Sequence, residues 1–218
     1  MDPIGLTGPT EPPKPPKPPV PAARRVLPDR PLQAITVVGA FVALLFAIEV
    51  VNSMSDGALS THGIWPRTPD QWDGILWAPL LHANWDHLLA NALPLLVLGL
   101  LATSGGMGQF LGVTAIIWLA SGFGTFLIGH AGVHIGASGV IFGYLTFLLV
   151  RGVFVRSVPQ VLIAVAVFAM YGTVLWGVLP NQPGVSWEGH LSGAVGGILA
   201  AWLVGRAWRE SVKTQGFT

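Results

Sequence analysis

The sequence predicts an all-α polytopic membrane protein, a single bundle of six transmembrane helices. Three observations carry that prediction. Of 218 residues, 52% are hydrophobic and 10% charged, with a mean hydropathy of +0.63, whereas soluble domains carry roughly a quarter charged residues. Apolar segments separated by polar breaks recur six times. The basic residues collect on alternate sides of those segments. The same composition excludes other classes. A net charge of +1 with 11 Lys and Arg leaves no basic face for phosphates, so nucleic acid is not an expected partner. With no cysteine there is no disulfide framework, thiolate metal site or Cys nucleophile.

Residues 1–31 differ from the rest. They hold 11 of the 18 prolines, including the run Pro12-Pro13-Lys14-Pro15-Pro16-Lys17-Pro18-Pro19. Such a stretch cannot propagate helical hydrogen bonds, so it reads as a disordered or polyproline II cytoplasmic tail. No apolar core follows the start Met closely, so it is not a signal peptide. The membrane domain is 32–208, and 209–218 form a second cytoplasmic tail. The apolar segments are 33–51, 88–102, 110–128, 140–150, 158–179 and 191–204. A bilayer core of roughly 30 Å needs about 20 helical residues. The second, fourth and sixth segments reach that length only by including the polar residues at their starts.

Charge sets the orientation. With the first tail inside and six crossings, Lys14, Lys17, Arg24, Arg25, Arg30, Arg151, Arg156, Arg206, Arg209 and Lys213 fall inside, and only Arg67 falls outside. That asymmetry follows the positive-inside rule and places both termini in the cytoplasm. The first outer loop, 52–86, carries Trp65, Trp72, Trp77 and Trp85, which favour the headgroup zone.

Helices two, four and six then enter from the outer face, and their first turns carry the unusual polar groups: His87 and Asn91, Ser138, and His190. At 1.5 Å per residue, Asn91, Ser138 and His190 all lie roughly 6–12 Å below the outer surface of the core. Polar groups are costly in lipid, so the three segments should face one another across a wet cavity. Taken alone, a membrane serine bonds back to a carbonyl one turn earlier, and an asparagine joins helices. Their shared depth points beyond that. Gly136-Ala137-Ser138-Gly139 puts the serine where a loop becomes a helix, beside free backbone N–H groups that suit an oxyanion. Gly193 and Gly197 follow His190 by three and seven residues and permit a close helix contact. If helix four is that neighbour, His190 reaches Ser138, and Phe142, one turn on, packs against the imidazole. Serine needs such a base to become a nucleophile. His87, Asn91 and the Ser138 N–H are the available oxyanion donors.

The remaining polar residues are assigned no chemistry. Glu188 is two residues from His190 and points elsewhere, so no acidic partner orients the imidazole. His130 and His134 are four apart in a short loop with no nearby carboxylate, so no metal is expected. Glu49 reads as structural. No organic cofactor is expected.

Three motifs in order, Gly136-Ala137-Ser138-Gly139, His190 with Gly193 and Gly197, and His82…His87-x-x-x-Asn91, resemble the rhomboid family of intramembrane serine proteases over about 35–208. The resemblance implies a rhomboid-like bundle with Ser138 as nucleophile and His190 as base, and His87, Asn91 and the Ser138 amide as oxyanion donors. It implies transmembrane protein substrates with a locally unwound, small-residue cleavage site, reaching the site from the lipid bilayer near helices two and five. The family's Trp-Arg pair in the first outer loop has only Trp65-Pro66-Arg67 as an echo. The alternative is a non-proteolytic rhomboid-like factor that binds membrane proteins or serves their quality control; intact Ser138 and His190 argue against it. A small-solute transporter predicts inverted repeats and broken helices, and neither is evident. The sequence leaves the oligomeric state open.

Overall fold

Local sequence sets each helix limit. A computed structural model gives the fold, describing residues 20–180 and 184–214; the proline run 12–19 lies outside the described residues. Pro31 opens α1 (Pro31–Met54) at a position where a missing N–H costs no helical bond. Asn84 caps α2 (Trp85–Ala102), its side-chain oxygen accepting from the His87 N–H at 2.9 Å. After Gly106 the chain enters α3 (Met107–Ile128), and after Ala137 it enters α4 (Ser138–Phe154). α5 (Val158–Tyr171) again carries a proline in its first turn and continues as 3-10 turns over Gly172–Val178. α6 (Trp187–Thr214) closes the bundle.

Five of these segments are long and apolar enough to cross a bilayer, and the shorter α4 is apolar too. α4 has 17 residues, roughly 25 Å of helix. It need not meet lipid on its own, because it packs on α2, α3, α5 and α6 and buries most of its length. α1 packs chiefly on α2, and α5 chiefly on α4. α5 turns Leu162, Val165, Phe168 and Met170 outward. A helix so apolar on its exposed face is stable against acyl chains rather than water. The described residues thus form an all-helical, multi-pass membrane protein.

Helices in lipid gain little from burying apolar area, so close packing must hold them together. The seam between α4 and α6 shows this. A Cβ added at Gly193 would strike the Gly139 carbonyl, and one at Gly197 would strike the Gly143 carbonyl and the Thr146 hydroxyl. The backbones touch there because both sides lack side chains. Thr146 Oγ1 donates across the seam to Ala194 O at 2.8 Å, and Ser121 Oγ donates from α3 to Gly189 O at 3.0 Å.

The loop between α1 and α2 is folded. It contains short 3-10 turns and a one-turn helix (Gly74–Trp77), and it buries Ile64, Ile75 and Ala78 against Phe126. Ile64 and His134 exchange two backbone hydrogen bonds of 2.9 Å. Trp72, Trp77 and Trp85 remain exposed.

At the opposite end, residues 20–30, assigned to the tail on composition, dock onto the helices. Arg151 is buried near the end of α4, donating to Ser104 Oγ at 2.7 Å and to Arg25 O at 2.9 Å. Gln160 donates to Ala23 O and Arg25 O. α6 likewise runs to Thr214, past the boundary at 208.

Candidate active site

The site is built where α2, α4 and α6 begin. Gly136 has φ +120°, a conformation L side chains rarely adopt, and a Cβ there would come within 2.7 Å of the His87 ring. Its N–H donates to Ala78 O at 2.9 Å, tying the approach to Ser138 to the folded first loop. Ser138 follows as the first residue of α4, where backbone N–H groups have no intrahelical partner.

Ser138 Oγ lies 2.8 Å from His190 Nε2. The other ring nitrogen, Nδ1, lies 2.9 Å from Gly177 O. A carbonyl can only accept, so Nδ1 carries the hydrogen and Nε2 presents its lone pair to the serine hydroxyl. Phe142 stacks on the imidazole with ring centroids 4.1 Å apart and planes inclined by 11°. The ring is therefore fixed by a carbonyl at one edge, an aromatic on one face and the serine at the other edge. Gly139, Gly193 and Gly197 set the helix separation that makes this reach possible.

His87 Nδ1 faces the Ala83 N–H at 3.5 Å, and its ring lies against Gly136. Asn91 Nδ2 donates to His87 O at 2.7 Å, leaving its second N–H for another acceptor. His87, Asn91, Ser138 and His190 share the wall of one cavity of about 600 Å³, bounded by α2 on one side and the 3-10 turns after α5 on the other.

Three features were not read from sequence. Gly177 supplies the group that orients His190, and a backbone carbonyl has no residue-type signature. Its lack of a side chain is the only trace: a Cβ there would sit 2.7 Å from Phe142 and 3.0 Å from His190. Pro94 interrupts α2 beside the cavity, which frees a carbonyl one turn earlier, at Ala90, also in the lining. The third is a correction. His130 and His134 do have a nearby carboxylate: Glu188 accepts from the His130 N–H at 2.9 Å and lies 3.0 Å from His130 Nδ1. Tertiary folding supplies what the local sequence lacks. Glu188 thus points away from His190, as its spacing predicts. Glu49 is buried beside Asn52, 3.4 Å from its amide, and does not line the cavity.

The fold and this site define a polytopic membrane protein of one recognisable kind. The Rhomboid domain matches residues 69–207, which takes in α2 through α5 and most of α6. The chain belongs to the rhomboid family. It is 48% identical over 185 residues to an uncharacterized protein of Mycobacterium tuberculosis, covering 81% of this chain and 77% of that one. A second uncharacterized protein, from Mycobacterium leprae, is 45% identical over 180 residues, covering 78% and 71%. A more distant relative is rhomboid-like protein 11, chloroplastic, of Arabidopsis thaliana, 28% identical over 159 residues, covering 62% and 53%.

Proposed function

We propose that this rhomboid-family protein is an intramembrane serine endopeptidase that cleaves transmembrane segments of membrane proteins through a Ser138–His190 dyad. The observation that carries the reading is the 2.8 Å contact between Ser138 Oγ and His190 Nε2, with His190 Nδ1 committed to Gly177 O.

In this mechanism His190 Nε2 takes the Ser138 proton as the hydroxyl attacks a substrate carbonyl carbon. The carbonyl oxygen becomes an oxyanion, which the Ser138 amide, His87 and the free N–H of Asn91 stabilise. The imidazolium keeps its Nδ1–H bond to Gly177 O while Nε2 returns the proton to the leaving amine. Water then enters, with His190 again as base, and releases the acyl group from Ser138. A carbonyl dipole replaces the carboxylate of a full triad. The dyad needs neither metal nor organic cofactor.

The position of the cavity supports this substrate class. It opens between α2 and the extension of α5, and α5 is held chiefly by α4. A substrate helix arriving through the bilayer meets that opening and must unwind locally, because helical amides are sterically enclosed. The charge asymmetry supports a cavity toward the outer face with both termini in the cytoplasm. Labelling from outside of a cysteine introduced at Asp70, by an impermeant maleimide on intact cells, supports that orientation; labelling only after permeabilisation reverses it.

The experiment is cleavage of a reporter transmembrane substrate in proteoliposomes. Ser138→Ala should lose at least about 10⁴-fold in rate with helical content unchanged. Wild-type-like cleavage by that variant overturns the reading, and substrate retention without cleavage by the wild type replaces it with a non-proteolytic binding role.

A further inference from the structure

We propose that His130, His134 and Glu188 form a binding site for one zinc-class divalent cation on the wall of the cavity. The three side chains come from two elements: both histidines from the loop between α3 and α4, the glutamate from the first turn of α6. One donor atom from each lies within 4.8 Å of the other two. An ion with donor distances of about 2.1 Å draws each inward by less than about 1 Å.

The charge balance of the cluster favours a cation. The Glu188 carboxylate is 2% exposed and accepts from the His130 N–H at 2.9 Å, with the His130 ring Nδ1 at 3.0 Å and its own backbone N–H as further partners. Among the described residues, neither arginine ion pair involves it. A buried carboxylate gains from a positive ion placed against it. Arg67 opposes a cation here, with its guanidinium on Gly129 O at 2.7 Å, but at His134 the Glu188 carboxylate outweighs it.

The donor chemistry selects the metal. Two imidazoles and one carboxylate suit Zn²⁺ and its neighbours, whereas Mg²⁺ and Ca²⁺ take oxygen donors. The site is also accessible and adjustable. The His130 side chain is 58% exposed, and both histidines line the cavity, which leaves a fourth position for water. His134 is held in place, with Nδ1 2.6 Å from Ser186 Oγ and Nε2 3.0 Å from His130 O. An ion takes over one of those contacts.

A bound ion fastens the loop that ends at Gly136 and Ser138 to the first turn of α6, which carries His190. Its effect on turnover rests on the proteolytic reading; binding itself does not. The test is therefore equilibrium titration of Zn²⁺ into the full chain in detergent at neutral pH, without substrate. The expected result is one equivalent bound, weakened at least tenfold by His130→Ala and by Glu188→Gln, unchanged by Ser138→Ala and His87→Ala, and unaffected by millimolar Mg²⁺. Exposed His130 makes His130→Ala the variant that decides if Glu188→Gln fails to fold. Absence of stoichiometric binding, equal affinity in His130→Ala, or loss in His87→Ala instead overturns the proposal.

Discussion

His82 is 1% exposed and meets the edge of the His87 ring at a centroid distance of 5.1 Å. Burial first, then the neighbouring His87, pushes its pKa from 6.5 down to about 4, against a smaller opposing effect of the Leu80 carbonyl. The folded state then binds fewer protons than the unfolded state between those two values, so stability rises with pH across that window. Acidification from about pH 6.5 to pH 4 should cost up to about 3 kcal/mol from this residue, with no further loss from it below pH 4. His134, held below the ordinary imidazole range mainly by burial, adds in the same direction. Thermal unfolding in detergent checks this: the midpoint should fall through that interval, and less steeply in His82→Gln. A midpoint independent of pH there contradicts it. At this scale the sequence names side chains but not their partners. That Ser138, His190 and Asn91 meet at one cavity was legible from their shared depth, and Phe142 from its place one turn after Ser138. Gly177 and the pairing of Glu188 with His130 were not, since one is a backbone acceptor and the other joins residues 58 apart in the chain.

α4 and α6 meet along a seam in which each helix's glycines admit the other's backbone. Gly193→Ala sets a methyl against the Gly139 carbonyl, next to Ser138, and a carbonyl within a helix cannot rotate aside. The helices must separate, which should cost about 1–3 kcal/mol and lengthen the Ser138–His190 contact. Gly112→Ala, on α3 with nothing within 4 Å of the added methyl, is the control and should leave the rate unchanged and stability equal or higher by up to about 1 kcal/mol. Unfolding midpoints and turnover measured on the pair check the prediction; equal behaviour of the two variants contradicts it. Apolar runs located each of α1 to α6 but shortened some. The run 140–150 became Ser138–Phe154, because buried polar residues such as Arg151 belong to the helix and are satisfied by Ser104 and Arg25 rather than by water. The run 158–179 became an α-helix followed by 3-10 turns, a change of winding that hydropathy does not register.

Across the whole molecule, the dyad unites residues 52 apart in sequence, on two helices that a third, α3, braces through Ser121. The Ser138–His190 contact is thus a property of the assembled bundle. The bundle itself was legible from hydropathy and charge. The docking of residues 20–30 was not, because proline-rich composition predicts a free tail and gives no sign that Arg151 and Gln160 will claim its carbonyls. The most direct test of the central claim is mass-spectrometric mapping of a fluorophosphonate adduct on the purified protein. Folded wild-type protein should carry the adduct on Ser138, and SDS-denatured protein and His190→Ala should not. No adduct on the folded wild type, or equal labelling of His190→Ala, would contradict the account.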